Sequence, residues 1–278
     1  MQSSNVEIKP LEPFLRWAGG KRWLVNKENL ITPPKFNTYF EPFLGSAAVF
    51  FSLPKTPFII SDINAELINC YQAIKNDYLQ IDSFLRAHQA KHCQDYYYQI
   101  RKSKPRNEHT RAARFLYLNR TCFNGLYRVN KQGIFNVPIG SRNNALLNND
   151  NLKAVAERLG QGKILYQDFE ATMSLAGEGD FIFIDPPYTV NHNLNGFIAY
   201  NEKLFSWEDQ VRLKNAIVSA VDRGAMVTMT NADHASIHEL YAGLGAIQKV
   251  ERSSVIAGRA GNRGLTSEVL MRFGWDVT

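Results

Sequence analysis

The residues best suited to chemistry stand together at 185–188, where an acid, two prolines and a tyrosine end an apolar run. The run at 181–184 has the composition of a strand that is buried on both faces of a parallel sheet. Proline donates no backbone hydrogen bond, so the strand must stop there, with Asp185 at its carboxyl end. In open α/β sheets ligands bind at that end. A carboxylate, a backbone carbonyl and the ring of Tyr188 together suit a flat ring that bears an amino group.

This stretch, Asp-Pro-Pro-Tyr after an apolar strand, resembles the catalytic motif of the Dam-type DNA adenine-N6 methyltransferases. The resemblance implies catalytic roles for Asp185, Pro186, Pro187 and Tyr188. In these roles the Asp185 carboxylate and the Pro186 carbonyl accept hydrogen bonds from adenine N6, and Tyr188 stacks on the adenine ring. Taken alone, the same residues also fit a strand end that is followed by a proline turn with a tyrosine in the core.

The composition of the 278 residues limits the possible classes of protein. The formal net charge of +6 favours a polyanionic partner. No apolar run approaches the roughly 20 residues of a membrane span. The N-terminus has no signal-peptide pattern, so we expect a cytoplasmic protein without a membrane partner. The three cysteines and six histidines lack the spacing of metal ligands, which predicts that no metal is bound.

A second group of candidate residues lies near the N-terminus, in the sequence RWAGGK at residues 16–21. Its glycines allow the backbone to approach a ligand closely, while Trp17 and Lys21 offer a plane and a cation that could meet a carboxylate. A turn before a helix, with a tryptophan in the core, explains the same residues equally well. Dam-type enzymes open with this sequence, and the resemblance implies that Trp17 and Lys21 hold the amino-acid end of S-adenosylmethionine. A basic residue at the position of Arg16 faces the DNA in that family.

Two strand patterns follow. The first, within residues 39–46, enters a turn of small residues at Gly45, where a cofactor could rest on the backbone. The family commonly has glycine where this chain has Ala47, which puts close approach at that position in doubt. The second ends at Asp62, 17 residues after Gly45 and about where doubly wound folds place the acceptor for ribose hydroxyls. The alternative is that Asp62 is only the N-cap of the next helix.

A third strand pattern, at 164–167, precedes Asp168 and Phe169. It resembles the third cofactor motif, in which the acid accepts from the adenine amino group of the cofactor and the aromatic ring lies against the adenine. The complete set of residues that we expect to bind the cofactor is Trp17, Ala18, Gly19, Lys21, Glu41, Phe43, Gly45, Asp62, Asp168, Phe169 and Asp185.

Helical patterning replaces strands between residues 65 and 159, and a basic segment lies inside this region. Between Arg101 and Arg142 there are ten basic residues, and Glu108 is the only acid. A charge run is usually just a solvated surface, but this one surrounds residues 116–128, which mix asparagine, glycine, aromatics and arginine. Arginine can form two hydrogen bonds with guanine, and an aromatic ring can insert between base pairs. We therefore expect a DNA-reading loop here.

Residues 119–128 and 133–140 resemble the target-recognition hairpin of GATC methyltransferases. On that pattern Phe123 takes the place of the intercalating aromatic, and Asn124 contacts the pairs beside the vacated base. Leu126 and Pro138 fall where the family reads thymine methyl groups, and Arg128 falls where it reads the first guanine. A basic loop at 257–264 suits DNA phosphates. The complete set of residues that we expect to contact DNA is Arg16, Arg120, Phe123, Asn124, Leu126, Arg128, Pro138, Arg259 and Arg263.

Strands and helices alternate at both ends of the chain, which predicts a doubly wound α/β sheet with a helical insert. By resemblance, the sheet is the mostly parallel, seven-stranded methyltransferase type with one antiparallel strand. Residues 1–64 and 160–278 then form the catalytic domain that binds S-adenosylmethionine. Residues 65–159 form the target-recognition domain that binds DNA.

We therefore expect a site-specific enzyme that transfers a methyl group from S-adenosylmethionine to N6 of a flipped adenine in double-stranded DNA. The expected site is GATC. We expect the enzyme to be a monomer in solution, and the sequence leaves open whether a partner nuclease exists. One alternative is methylation of cytosine N4, which uses similar acceptor chemistry. The other is a catalytically inactive DNA-binding protein on the same fold.

Overall fold

The computed structural model describes residues 11–25, 28–130, 132–147, 150–190, 205–253 and 265–276. These residues divide into two compact units. The first unit takes the described parts of Met1–Val25, Gly45–Lys55 and Asn64–Ile164. The second unit takes those of Asn26–Leu44, Thr56–Ile63 and Leu165–Thr278. The assignment of catalysis and target recognition to separate domains stays a prediction.

A seven-stranded sheet positions residues 185–188, which follow its strand at 181–184. Its strands are β1 (Tyr39–Glu41), β2 (Phe58–Asp62), β3 (Lys163–Tyr166), β4 (Phe181–Ile184), β5 (Met226–Ala232), β6 (Ala246–Ser253) and β7 (Leu265–Phe273). They are arranged in the order β3-β2-β1-β4-β5-β7-β6. β1 is parallel to β2 and β4, and β4 is parallel to β5, whereas β7 is antiparallel to both β5 and β6. The expected seven strands are confirmed, and β7 is the expected antiparallel strand.

Helices connect the strands. They are α1 (Arg22–Val25), α2 (Glu28–Ile31), α3 (Ala48–Ser52), α4 (Ala65–Ala90), α5 (Gln94–Lys102), α6 (Glu108–Thr121), α7 (Leu152–Leu159), α8 (Phe169–Met173), α9 (Trp207–Asp222) and α10 (Ala235–Leu240). Short polar side chains cap α4, α6, α7, α8 and α9 by accepting from backbone N–H groups of the first turn. Such a cap typically contributes about 1 kcal/mol.

The cap of α4 settles one alternative from the sequence. Asn64 Oδ1 accepts from the backbone N–H groups of Glu66 and Leu67, each at 3.1 Å. Asn64 therefore satisfies the first turn of this helix. The reading of Asp62 as only an N-cap is wrong.

The core of the second unit forms around β4. All four β4 residues are buried, because the strand lies between β1 and β5 within the sheet. Ile182 and Ile184 join a hydrophobic cluster with Met173 of α8 and with Leu213 and Ile217 of α9. Full burial of one such side chain stabilises the fold by roughly 1.5–3 kcal/mol. This packing holds the carboxyl end of β4, and with it the catalytic motif, in a defined place.

The first unit is mainly helical, as the pattern of residues 65–159 predicts, and α4 packs against α6 and α7. After α6, the chain makes a 3-10 turn at Phe123–Gly125 and then a hairpin. We call residues 122–139 the hairpin segment, because Cys122 bridges Ile139 and Val129 bridges Phe135. At its tip, Asn130 Oδ1 accepts from the N–H groups of residues 132 and 134, which holds the turn.

Candidate functional site

Asp185 stands directly after β4 and is partly exposed, whereas Ile184 before it is fully buried. The parallel register pairs Ile184 with Met229 of β5, so the next residue of β5, Thr230, lies beside Asp185. The buried Thr230 hydroxyl donates a 2.7 Å hydrogen bond to Asp185 Oδ1. Thr230 therefore fixes the orientation of the carboxylate that β4 presents at the sheet edge.

Tyr188 has a buried partner on the antiparallel strand. Its hydroxyl donates a 2.7 Å hydrogen bond to Oε2 of Glu268, which lies on β7 and is 4% exposed. Burial, followed by the charges of Asp185 and Glu268, raises the pKa of Tyr188 well above its usual value of 10.0, so this side chain is a neutral phenol. Of the two residues between the acid and the tyrosine, Pro186 is buried and Pro187 is partly exposed.

Three aromatic rings of the second unit pack against one another, and two of them belong to expected cofactor residues. Phe43 stacks on Phe169 with ring centroids 5.3 Å apart. Phe205 packs edge-on against both rings, at 5.5 Å and 5.8 Å. Glu41 is buried at the end of β1, where its Oε2 accepts from the Tyr39 hydroxyl at 2.9 Å. These contacts hold Phe43, Phe169 and Glu41 in fixed orientations.

Asp168 begins α8 and uses one carboxylate oxygen within the protein. Its Oδ1 accepts from the Glu170 N–H and from Arg212 Nη2, both at 2.9 Å. Arg212 also pairs with Glu170 and Asp209, and its guanidinium carbon lies 4.9 Å from the Phe169 ring centroid. Hydrogen bonds to Glu170 and Asp209 raise the pKa of Arg212, so the residue stays charged. Among the described residues, both of these donors to Asp168 contact Oδ1 and none contacts Oδ2.

Ile63 is a residue that the sequence reasoning missed. Asp62 ends β2 and is partly exposed, and Ile63 directly after it is 68% exposed. Such large exposure of an isoleucine puts apolar surface beside a carboxylate at the edge of the sheet. The sequence held no separate signal for it, because an isoleucine after an apolar run reads as a continuation of the buried strand.

The N-terminal candidates belong to the first unit. Trp17 stacks on Tyr127 of the hairpin segment, with ring centroids 5.3 Å apart and planes at 17°. Gly45 has φ +47, and a Cβ atom there would lie 2.8 Å from Trp17 Cδ1, so only glycine fits against this ring. Lys21 is 3% exposed, and its Nζ donates to the Gly19 carbonyl at 2.7 Å. Trp17 packs against Tyr127 within the first unit but is only partly buried, and its role at the cofactor stays a prediction.

Two alanines complete this region. Ala18 is exposed. Ala47, which stands where the family commonly has glycine, adopts φ 55 and ψ 35. This left-handed conformation is the one that glycine takes without strain. Ala47 therefore occupies a backbone conformation that favours glycine.

The hairpin segment presents most of the expected DNA-contacting side chains to solvent. Phe123 is 55% exposed. An exposed aromatic ring on a loop is typical of a binding surface. The other exposed or partly exposed members are Asn124, Leu126, Arg128 and Pro138.

Contacts across the hairpin segment orient these side chains. Arg128 Nε donates to Asn136 Oδ1 at 3.0 Å, which fixes one edge of the guanidinium. The Pro138 carbonyl accepts from the Phe123 N–H at 2.9 Å and from the Tyr97 hydroxyl at 3.3 Å. Both arms of the hairpin are therefore held in register, one by the other and by α5.

Arg16 lies against the turn that carries Phe123. Gly125 has φ +65, and a Cβ atom there would lie 2.6 Å from Arg16 Cδ. The Arg16 N–H donates to Asn119 Oδ1 at 2.9 Å, and Asn119 Nδ2 donates to the Arg16 carbonyl at 2.7 Å. Arg16 is thereby placed beside the hairpin segment, although its sequence position is more than a hundred residues away.

Arg120 is fully buried, so its expected contact with DNA is wrong. Its Nη1 and Nη2 donate to the two carboxylate oxygens of Asp150 at 2.6 Å and 2.7 Å. The same guanidinium donates to the carbonyls of Phe14 and Ala145. A guanidinium with this many internal acceptors is a structural crosslink, and a basic run in the sequence does not distinguish it from a surface arginine.

Other parts of the basic run also bond internally. Arg101, Arg111 and Arg114 each donate to acceptors of the first unit. The number of cations available to DNA is therefore smaller than the count in the sequence suggests. Arg259 and Arg263 lie outside the described residues.

A metal site and a membrane-spanning helix are both absent from the described residues. No three histidine, cysteine, aspartate or glutamate side chains lie close enough there to hold a metal ion. No helix in that part of the chain combines the length and apolar character needed to cross a bilayer. Burial raises the pKa of Cys70 and of Cys122 to about 12, so both thiols stay protonated at neutral pH and are poor nucleophiles.

Known DNA methyltransferases are similar to this chain along nearly its whole length. A family model described as D12 class N6 adenine-specific DNA methyltransferase matches residues 17–255. The Type II methyltransferase M1.LlaDCHI of Lactococcus lactis subsp. cremoris is 36% identical over 280 residues, which cover 98% of this chain and 97% of that protein. The DNA adenine methylase of Escherichia coli strain K12 is 33% identical over 272 residues, which cover 95% of each chain.

Solved structures are more distant. The precorrin-6y C5,15-methyltransferase from Geobacter metallireducens GS-15 aligns over 91% of this chain and 86% of its own, with a TM-score of 0.37 and 9% identity. At that distance the alignment bears on neither substrate nor site.

Proposed function

The chain belongs to the family of D12 class N6 adenine-specific DNA methyltransferases, and on that premise we propose that it methylates N6 of an adenine extruded from duplex DNA, within GATC. The observation that carries the proposal is the carboxylate of Asp185. It stands at the end of the central strand β4 and is oriented by the buried Thr230 hydroxyl. A hydrogen-bond acceptor held in this way suits an exocyclic amino group.

The described residues of the second unit fit S-adenosylmethionine. Asp62 and Asp168 are acids at strand ends, and Asp168 keeps one oxygen without a donor among the described residues. In our proposal Asp62 accepts from the ribose hydroxyls and Asp168 Oδ2 accepts from the adenine amino group of the cofactor. The exposed Ile63 supplies apolar contact to that adenine. The Phe169 ring is buried against Phe43, and its contact with the adenine stays a prediction. For Glu41 and Phe43 a role next to the cofactor stays a prediction.

The cofactor contacts of the first unit stay predictions as well. They concern the amino-acid end of S-adenosylmethionine and the residues Trp17, Ala18, Gly19, Lys21 and Gly45. What supports them is the resemblance of the sequence, because the close approach at Gly45 is made by the Trp17 ring.

The chemistry of the reaction assigns a task to each residue of the motif. S-adenosylmethionine supplies an electrophilic methyl group when it is bound. Adenine N6 is a weak nucleophile because its lone pair is delocalised into the ring. The Asp185 carboxylate and the Pro186 carbonyl accept from the amino group and so stabilise the positive charge that develops on nitrogen. Tyr188 stacks on the extruded ring, and no covalent intermediate with the protein is needed.

Extrusion of the adenine costs on the order of a few kcal/mol, and the hairpin segment offers the compensating contacts. The exposed Phe123 ring would fill the vacated space, with Asn124 at the neighbouring pairs. Arg128 would read the first guanine with the edge of its guanidinium that Asn136 does not occupy. Leu126 and Pro138 would contact thymine methyl groups, and Arg16 would face the DNA.

The family match sets aside the alternative of cytosine-N4 methylation. The alternative of an inactive DNA-binding protein is disfavoured, because the family is one of adenine-specific methyltransferases and the acid of the motif, Asp185, is in place. Location in the cytoplasm and a monomeric state stay predictions.

A panel of duplexes tests the proposal. Transfer of tritiated methyl groups is measured on a duplex with one GATC site and on duplexes that are altered singly at each of its positions. We expect transfer to the intact site and strongly reduced transfer to each altered site. Equal transfer to all duplexes, or preference for another sequence, would contradict the assignment of GATC.

Arg128→Ala separates base reading from phosphate contact. If Arg128 forms a bidentate pair with guanine, the variant loses about 1–3 kcal/mol of discrimination at that one pair and little elsewhere. If it contacts a phosphate instead, binding weakens on every duplex and the salt slope falls by about one unit. A variant that keeps full preference for the first G·C pair would show that Arg128 is not the reader.

A further inference from the structure

Glu268 is a buried acid that no motif of the sequence pointed to. It lies on β7 between Ala232 of β5 and Val250 of β6, and it is 4% exposed. Moving a carboxylate out of water is unfavourable unless hydrogen bonds satisfy it. Contacts of the Glu268 carboxylate must therefore compensate for the unfavourable free energy of its burial.

The contact of Glu268 leads directly to the catalytic motif. Its Oε2 accepts from the Tyr188 hydroxyl at 2.7 Å, a short hydrogen bond with a charged acceptor. The other hydrogen bond to the motif is donated by Thr230 of β5 to Asp185 at 2.7 Å. β5 and β7 thus each contribute one hydrogen bond to the residues that follow β4, the first to Asp185 and the second to Tyr188.

We propose that Glu268 is a positioning residue for the methyl transfer, which acts through Tyr188 and rests on the function proposed above. The hydrogen bond from the phenol to a carboxylate sets the plane of the ring on which the extruded adenine stacks. It also draws the phenol proton toward Glu268, which makes the face of the ring more negative. An electron-rich face stabilises a stacked ring that gains positive charge, as adenine does during methylation.

The positioning role of Glu268 predicts different kinetics from a role in stability alone. A structural acid would help Tyr188 to pack but would not influence the turnover of folded enzyme. A positioning acid changes the rate at saturating substrate and leaves binding of DNA and cofactor nearly unchanged. The two roles are therefore distinguished by kcat, measured with KM and with the melting temperature.

The test compares Glu268→Gln, Tyr188→Phe and the double variant in the full chain. Glutamine keeps the shape and an acceptor oxygen but removes the charge, and phenylalanine removes only the hydroxyl. We expect Glu268→Gln to lower kcat by on the order of tenfold, the effect of one charged hydrogen bond, with KM for DNA and Kd for S-adenosylmethionine within about threefold of wild type. Glu251→Gln, a change of an exposed acid on β6, is the matched control and should leave kcat unchanged.

The double variant shows whether Glu268 acts through the tyrosine. If it does, adding Glu268→Gln to Tyr188→Phe lowers kcat no further, because the hydrogen bond is already absent. Additive losses would overturn the proposal, as would wild-type kcat in Glu268→Gln. A spectroscopic measurement adds to this: a duplex with 2-aminopurine in place of the target adenine should emit more strongly with Glu268→Gln, since a less firmly held ring quenches less. Unchanged emission would contradict the proposed role.

The failure of this inference is distinguishable from failure of the proposed function. If the wild-type chain transfers no methyl group to adenine, the function itself is wrong. If the wild type is active and Glu268→Gln matches it, only the role of Glu268 is wrong.

Discussion

Replacement of Asp150 by alanine tests whether Arg120 is a structural crosslink instead of a DNA contact. The Arg120 side chain is fully buried and that of Asp150 is 16% exposed, so water can replace little of the lost carboxylate. Breaking a buried ion pair by removing one partner typically costs about 3–5 kcal/mol. Asp150 Oδ2 also accepts from the Leu147 N–H at 2.8 Å, a bond worth about 1 kcal/mol. Because Asp150 retains some contact with water, we expect a total loss of about 3–4 kcal/mol.

Urea unfolding followed by circular dichroism measures this loss in the free energy of unfolding. Asp82→Ala is the matched control, because its ion pair with Arg86 is exposed, with 67% of the arginine side chain accessible. Exposed pairs on one helix contribute about 0.3–0.5 kcal/mol, so the control should scarcely change the midpoint. A loss below about 1 kcal/mol in Asp150→Ala would refute the crosslink.

Variants of Arg120 itself separate the crosslink from a phosphate contact. If Arg120 contacted DNA, its replacement by lysine would keep a cation, whereas replacement by methionine would reduce the salt slope of binding by about one unit. We expect the salt slope of folded Arg120→Met to equal that of wild type. A reduced slope would show that Arg120 contacts DNA, in contradiction to its burial.

Two further changes test other parts of the structure. Asp62→Ala removes an acceptor from the ribose hydroxyls in our proposal and should weaken binding of S-adenosylmethionine by about 10- to 100-fold; an unchanged Kd by calorimetry would remove Asp62 from the site. Hydrogen bonds from His238, then Ser267 and Lys249, lower the pKa of Asp233 from 3.8 to about 2. Asp233 therefore stabilises the fold above its ordinary pKa, and this contribution is lost as the pH falls toward 2. Asp233→Asn should lower the urea midpoint at pH 7 and leave it unchanged near pH 2; equal losses at both would contradict the assigned cause.

The sequence was a good guide wherever a single stretch of chain determines the outcome. The apolar run 181–184 must be buried on both faces, so its place at the centre of the sheet and the position of Asp185 at its end could be predicted. The same reasoning placed Asp62 and Asp168 at strand ends. The exposure of Phe123 and Arg128 followed from the composition of the hairpin segment.

The partners of these residues could not be predicted in the same way. Thr230 and Glu268 reach Asp185 and Tyr188 from β5 and β7, and only the pairing of strands brings them there. Arg120 looked like its neighbours in the basic run, because burial depends on acceptors such as Asp150, which lies thirty residues later in the chain. Contacts between distant segments follow from the fold as a whole.

The most direct test of the central claim is the identity of the methylated nucleoside. The full chain is incubated with S-adenosylmethionine and a duplex that contains GATC, and the DNA is digested to nucleosides for mass spectrometry. We expect N6-methyldeoxyadenosine from the wild type. Asp185→Ala should form at least about 100-fold less, because an acceptor for the developing charge is lost. The account would be contradicted by methylated cytosine, or by no methylated nucleoside, from the wild type. Activity of Asp185→Ala within about tenfold of the wild type would contradict it as well.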